Sequence, residues 1–501
     1  MSQPTPNAAA AQPFSMKAII APLLAVIVGM IMVILDSTVV NVALAGFQKE
    51  FDASLNTTQW TFTAYTLALS AVIPLAGWMT DKFGSKRIFL LTILFFTLGS
   101  VLCGVAQSIE QLILFRVIQG LGGGMVMPIG MAIIFRLAPP ERRGAVMGTL
   151  GIPMLLAPAI GPVLSGWLIE NATWHWIFLI NLPIGIVGLI IGMKYLPNFE
   201  KNQKPPALDV LGMILAPIAF SSLAYGVSEG GRVSWTADTA LTGLIIGGVA
   251  LLLFIIVELR HKQPLLELRV FRSSDFTRGI LLTWIVQIAL FGAMILVPVF
   301  LQTIRGYTAF ETGLIMLPQA LGSMLFMPIG GRLFDKIGAR PLALAGFTVI
   351  STALFLFSLV DLDTPLYMIL LPLFMVGCGM GLSMMSLNTH VLNAAPRRLV
   401  SRVTPLTTAA QQVVTSFAVA GLTGFLTTRT TDRIADAGQG ANPMESAIAA
   451  YGDTFLLAMS LAITGIALAT ILRKPKPLPE DLAAAKPADA EQGKAAAMMS
   501  H

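Results

Sequence analysis

The charged residues of this chain are gathered into short clusters, and between the clusters run apolar stretches of about twenty residues. That alternation constrains the fold more than any other feature of the sequence. A helix needs about 20 mainly apolar residues to cross a bilayer, rising about 1.5 Å with each. Only 12% of the 501 residues are charged, 55% are apolar, and the mean hydropathy is +0.78. Soluble domains carry about 25% charged residues, roughly twice as many. No polar segment the size of a soluble domain interrupts the pattern. The chain therefore reads as an all-α integral membrane protein whose work is done inside a helix bundle.

Spans are predicted near residues 18–44, 57–80, 86–106, 109–135, 143–168, 174–196, 209–228, 238–258, 276–302, 310–333, 340–360, 364–392, 402–427 and 453–472. That gives 14 transmembrane helices. With the N-terminus inside, the inside loops hold Lys82, Lys86, Arg87, Arg136, Arg142, Arg143, Lys194, Lys201 and Lys204. They also hold Arg260, Lys262, Arg269, Arg272, Arg332, Lys336, Arg340, Arg397, Arg398 and Arg402, whereas the outside loops hold only Lys49, Arg232, Arg305, Arg429 and Arg433. Nineteen against five is the asymmetry that orients membrane helices, so both termini are predicted to be cytoplasmic and the span count even. Residues 1–15 lack the basic start and apolar core of a cleaved signal, so the first apolar run is expected to stay as a helix.

Gly77-Trp-Met-Thr-Asp81-Lys82-Phe-Gly84 recurs at identical spacing as Gly331-Arg-Leu-Phe-Asp335-Lys336-Ile-Gly338. Each copy falls between the second and third spans of a six-helix block. Glycine clusters recur likewise in the fourth span of each block, at Gly120, Gly122, Gly123 and Gly124 and at Gly377, Gly379 and Gly381. Two six-helix repeats with an inserted helix pair follow from this, the arrangement of a rocking transporter. The predicted organisation is a cytoplasmic tail over 1–17, an N-terminal half over 18–196 and an inserted pair with linkers over 197–275. A C-terminal half over 276–472 and a disordered cytoplasmic tail over 473–501 complete it.

Charges at membrane depth are costly without a partner and so point to function. Two stand out, Asp36 in the first predicted span and Arg116 in the fourth. Asp36 lies about eight residues before an outer helix end and Arg116 about seven after one, so both sit about 12 Å from the outer surface. They could pair across the N-terminal half. Desolvation raises a carboxylate's proton affinity and a nearby cation lowers it, so such a pair suits proton coupling as well as a fixed structural role. Thr38 and Asn41 follow Asp36, and Gln119 shares the face of Arg116, which makes a supporting polar cluster. Aligning the glycine clusters sets Leu373 opposite Arg116, so the second half is expected to be neutral.

The doubled loop motif reads as a cytoplasmic gate: Gly77, Asp81, Gly84 and Arg87 in one copy, Gly331, Asp335 and Gly338 in the other. A carboxylate at a helix end can pair with arginines or with an opposing helix N-terminus and hold that side shut. Gly151, Pro158, Gly161 and Pro162 make the fifth span either a hinge or a packing surface, since small residues let membrane helices slide closely. For substrate contact, Trp284, Gln287 and Phe291 share a face of the ninth span and Gln411 and Gln412 lie on the thirteenth. Methionines 316, 324, 327, 380, 384 and 385 add adaptable apolar surface, each read singly as core or lipid-facing.

Cys103 and Cys378 both sit in apolar runs and read as buried small hydrophobes, not as a disulfide or metal site. No phosphate-binding Gly-x-x-x-x-Gly-Lys-[Ser/Thr] segment is present, so ATP is not the expected driver. The net charge of +6 comes from helix ends and implies no nucleic-acid partner. A channel would leave the doubled gating motif unexplained, and a membrane enzyme would need a His/carboxylate cluster that the sequence lacks. No cofactor is expected.

Over residues 18–472 these motifs resemble the major facilitator superfamily, and within it the fourteen-helix drug:proton antiporter branch. Leu35-Asp36 through Leu44 is similar to that branch's first-helix signature, Gly77 through Arg87 to the superfamily loop, and Arg116-Val-Ile-Gln119-Gly120 to the fourth-helix coupling motif. Gly148 to Gly166 resembles the antiporter signature, with Ala157 and Ser165 where glycines are usual. Trp174 through Gly185 also looks like the branch, with His175 in place of a usual arginine. The resemblance implies a multidrug efflux protein of the bacterial cytoplasmic (inner) membrane, exchanging protons for small lipophilic, often cationic compounds. Asp36 would carry the proton and Arg116 would tune it. A proton-coupled exporter of one endogenous metabolite or lipid is the alternative. Its partners would be small-molecule substrates, protons and the lipid bilayer. A periplasmic adaptor has no signature here.

Overall fold

The computed structural model describes residues 16–473 apart from 140–141, 200–208, 233, 262, 397–398 and 437–442. Most of both predicted tails, and the loop cations Lys201, Lys204, Lys262, Arg397 and Arg398, lie outside the described residues. These form α1 (Met16–Glu50), α2 (Leu55–Val72), α3 (Ala76–Phe83), α4 (Ser85–Cys103), α5 (Ile109–Gly123), α6 (Val126–Leu137), α7 (Arg143–Asn171), α8 (His175–Leu179) and α9 (Asn181–Tyr195). Then come α10 (Val210–Arg232), α11 (Asp238–Arg260), α12 (Ser274–Thr303), α13 (Ala309–Ile315), α14 (Leu317–Ile337), α15 (Ala339–Ser358), α16 (Leu366–Asn393), α17 (Val400–Asp436) and α18 (Pro443–Ala469). No strand occurs among the described residues. Thirteen stretches of these helices are long and apolar enough to cross a membrane; α7, of 29 residues, lies between the fourth and the fifth.

Several predicted single spans are built in two pieces. The one near 57–80 breaks at the 3-10 turn Ile73–Leu75, where Pro74 has no N–H to continue the ladder. The one near 310–333 breaks at Met316, just before Pro318. The one near 109–135 breaks between α5 and α6 at Gly124, where an added Cβ would lie 2.5 Å from the Leu69 carbonyl of α2. By contrast α7 stays helical across the prolines at 153, 158 and 162. Polar caps satisfy the free N–H groups where helices restart: Ser54 accepts from Thr57, Ser108 from Gln111, and Thr308 with Glu311 forms a capping box. Glu311 is thereby a cap, as its place at a helix end suggests.

Apolar residues point outward as well as inward. Leu252 and Ile245 of α11 are 64% and 63% exposed, as lipid contact allows and water would not. Inside, the core falls into three clusters. One is made of the C-terminal half alone, from Leu282 to Leu472. Another lies in the N-terminal half around Leu35, Phe47, Leu112 and Phe178. The third, at the end of the bundle that carries the basic loops, mixes both halves and joins Met30, Ile133 and Met147 to Met327, Val391 and Val403. The halves thus share an apolar core chiefly at the basic end.

Candidate functional site

The buried centre of the N-terminal half is polar. Asp36 on α1 and Arg116 on α5 have 1% and 0% of their surface exposed, and Arg116 Nη1 donates to Asp36 Oδ2 at 2.5 Å. The depth argument from helix rise had set these residues at one height, and they touch. Gln119, one turn further along α5, accepts from Arg116 Nη1 at 2.7 Å and donates to Asp36 Oδ1 at 2.8 Å. Arg116 Nε donates to the Thr61 carbonyl of α2 at 3.0 Å, and the guanidinium lies 3.7 Å above the Tyr65 ring. The acid thus accepts from Arg116 and Gln119, and the cation is held by Asp36, Gln119, Thr61 and Tyr65.

Close helix approach makes the cluster possible. A Cβ at Gly120 would come 2.7 Å from the Tyr65 carbonyl, and one at Gly99 would come 2.6 Å from Gln119 Cα. Two glycines therefore bring α2 and α4 against α5.

Asn181 at the start of α9 completes the network, donating to Asp36 Oδ1 at 3.2 Å and to Ser100 Oγ at 2.9 Å. Ser100 in turn donates to the Phe178 carbonyl at 2.9 Å. Sequence reasoning missed Asn181, Tyr65 and Ser100 as site residues. A signal existed for Asn181: it lies seven residues after Trp174, the depth that singled out Arg116. Cys103 sits beside Gln119 Oε1 at 3.5 Å, a buried thiol as predicted. Arg116 Nη2, Asn181 Oδ1 and the Tyr65 hydroxyl are buried with no hydrogen-bond partner among the described residues. Buried polar groups normally find partners, so the cluster has spare hydrogen-bonding capacity beyond the ion pair.

Thr38 does not join this cluster. Its hydroxyl donates to the Leu35 carbonyl at 2.9 Å and lies under Gly161 of α7, where a Cβ would strike it. The side chains of Asn41, Pro158, Pro162 and Phe291 lie outside the described residues. Gly151 faces the Met327 sulfur of α14, so the two predicted hinge glycines are among the contacts of α7 with α14 and α1.

The doubled motif spans the two halves at the basic end. Asp81, at the end of α3, accepts from Ser401 Oγ at 2.8 Å and Arg402 Nε at 3.2 Å on α17. Asp335, at the end of α14, accepts the backbone N–H groups of Gly144 and Ala145 at 2.9 and 3.0 Å, at the N-terminus of α7. Arg143 adds a 2.6 Å bond to Asn393. A Cβ at Gly77 would meet the Ser401 carbonyl at 2.7 Å, and one at Gly331 would collide with that of Gly144. Gly84 and Gly338 terminate their helices at φ 95° and 79°, a region that L side chains avoid. Arg87 is exposed and bonds to none of the described residues.

Of the predicted substrate residues, Gln287 and Gln412 come together at the lining of one cavity. Gln287 Nε2 donates to Thr415 Oγ1 at 3.1 Å and Gln411 to Asn388 at 3.2 Å, while Gln412 lines a cavity beside α2. The Trp284 ring nitrogen is buried without a hydrogen-bond partner among the described residues.

Residues 26–419 match the family model described as "Major Facilitator Superfamily". Among curated relatives, the chain is 37% identical to the "Multidrug resistance protein B homolog" of Mycobacterium tuberculosis, over 79% of this chain and 74% of that one. It is 33% identical to the "Lincomycin resistance protein LmrB" of Bacillus subtilis, over 92% and 96%. Among solved structures, the human organic anion transporter MFSD10 superposes with a TM-score of 0.62 at 13% identity, covering 88% of this chain and 99% of that one. That likeness is one of fold.

Proposed function

The chain belongs to the Major Facilitator Superfamily, and on that premise we propose that it is a proton-coupled antiporter that exports small lipophilic, often cationic compounds. The names of the relatives support export of drugs. The observation that carries the coupling is the fully buried Asp36–Arg116 pair. A proton and the guanidinium compete for one carboxylate, so protonation and opening of the pair are linked by necessity. Protonating Asp36 while Arg116 stays docked strands a cation in a dry site, which favours separation of α1 from α5. Outward release of substrate would accompany proton uptake, and closure over the ion pair would return the proton to the cytoplasm.

In this reading α7 is the fourteenth span, the two motif-bearing halves are parallel repeats, and α10 with α11 is the inserted pair. The basic end is cytoplasmic, in a bacterial inner membrane, with both termini inside. Asp81 and Asp335 latch that end shut in the state described above. The small-residue face of α7 is the surface on which the halves rock.

Resistance profiling provides the test. Cells expressing the chain are expected to tolerate several unrelated dyes and antiseptics, and Asp36→Asn at equal membrane abundance to restore full sensitivity. Protection by the variant equal to that of the wild type would overturn the assignment. Protection against a single compound class would point instead to a dedicated exporter.

A further inference from the structure

The inserted helix α10 does not stand apart from the bundle. Tyr225 stacks on Trp60 of α2 with ring centroids 6.0 Å apart, and Ser221 Oγ donates to the Leu67 carbonyl at 3.0 Å. On its other side Gly231 meets α17, where an added Cβ would lie 2.6 Å from that of Ala420. Between α2, α10 and α17 lies a cavity of about 340 Å³, within the range of about 300–1,000 Å³ typical of pockets for drug-sized ligands. No charged side chain lines it.

Part of the lining presents hydrogen-bond acceptors, beside Thr63, Tyr225, Ser228 and Gln412, which can also donate. Thr66, Ser416 and Thr423 donate their hydroxyl protons back to the carbonyls of Phe62, Gln412 and Val419, at 3.0, 3.1 and 2.7 Å. While those bonds are kept, their oxygens accept from a ligand. Thr415 already takes a bond from Gln287, whose own Oε1 is buried without a hydrogen-bond partner among the described residues. We propose that this cavity binds an uncharged amphiphilic molecule that donates hydrogen bonds, which makes the inserted helix one wall of a ligand site and more than a spacer. Calling that ligand a substrate rests on the export reading above; its occupancy does not. The cavity also adjoins the ion pair through one helix. Thr61 and Tyr65 of α2 grip Arg116, while Phe62 and Thr66 on the next face line the cavity.

The probe is chloramphenicol, which is uncharged and carries two hydroxyls and an amide N–H; tetraphenylphosphonium, charged and without donors, is the comparator. In a Cys103→Ala/Cys378→Ala background, Ser228→Cys is labelled with a fluorescent maleimide on purified protein with no gradient. Chloramphenicol is expected to slow labelling about tenfold and tetraphenylphosphonium to leave it unchanged. Ala224→Trp, which fills the cavity, is expected to weaken binding of radiolabelled chloramphenicol about tenfold with little change in thermal midpoint. Labelling unaffected by chloramphenicol, or slowed equally by both probes, would overturn the proposal, as would full affinity in folded Ala224→Trp. The labelling result decides alone if that variant does not fold. Because no transport is read, a failed coupling assignment leaves this outcome untouched, and the reverse also holds.

Discussion

The two halves of the bundle meet along two seams of opposite character. Where α7 meets α14, backbone lies on backbone: Gly144 against Gly331, and Gly148 so placed that a Cβ would come 2.5 Å from the Met327 carbonyl. Where α2 faces α17, contact is made at the basic end by Asp81 and Gly77 with Ser401 and Arg402, and farther along the helices are separated by the cavity that α10 walls. Small residues let membrane helices pack closely, and this seam is also pinned at the basic end, by the bonds from Gly144 and Ala145 to Asp335. A seam pinned at one end and parted at the other opens there first. On the proposed reading, the glycine seam is the axis of a rocking motion and the α2–α17 seam is the side of passage.

The comparison breaks most visibly if the tight seam tolerates bulk. Gly331→Leu is expected to lower the thermal midpoint in detergent by roughly 10 °C or more, since overpacking against backbone cannot be relieved by a rotamer change. Bulk on the other seam, as in Ala224→Trp, should shift it by under about 3 °C. Similar shifts at both places would remove the distinction. Next in size is Arg116→Ala, which leaves Asp36 buried and uncompensated at a cost of about 3–5 kcal/mol. In denaturant unfolding, Asp36→Asn combined with Arg116→Gln should cost less than the sum of the two single changes.

The pinned end sharpens the comparison further. Asp335→Ala and Asp81→Ala each remove hydrogen bonds to a carboxylate, worth about 1.5–3 kcal/mol apiece. Spin labels at Lys82 and Lys336, exposed on opposite halves, should report a longer distance in at least about tenfold more molecules. Smallest is the pair Gly84→Ala and Gly338→Ala, each strained by a positive φ and expected to cost about 1 kcal/mol of thermal stability.

What could be read in advance divides along the same physical line. Asp36 and Arg116 announced themselves because a lone charge in lipid is costly, and helix rise alone set them at one depth. Asp81 and Asp335 stood out through repetition, and the positive φ at Gly84 and Gly338 explains why both copies end on glycine. Tyr65 and Ser100 gave no such signal, since a hydroxyl or a ring in an apolar span costs little and looks like packing. Thr38 was drawn toward Asp36 by proximity in sequence, yet two residues along a helix turn a side chain to another face, here onto Gly161. The cavity was illegible for a related reason. Its wall residues are neutral, and they come from three helices whose adjacency no spacing reveals. The breaks at Pro74 and Met316 were hidden because mean hydropathy does not register a lost N–H.

The most direct measurement of the central claim is transport in proteoliposomes carrying the wild-type chain or Asp36→Asn, loaded with ethidium and read in two modes. Uphill movement driven by a pH gradient should be abolished in the variant, while exchange of labelled for unlabelled ethidium with no gradient should persist, because the substrate path is intact and only the proton's site is gone. Gradient-driven transport by Asp36→Asn at the wild-type rate would contradict the account.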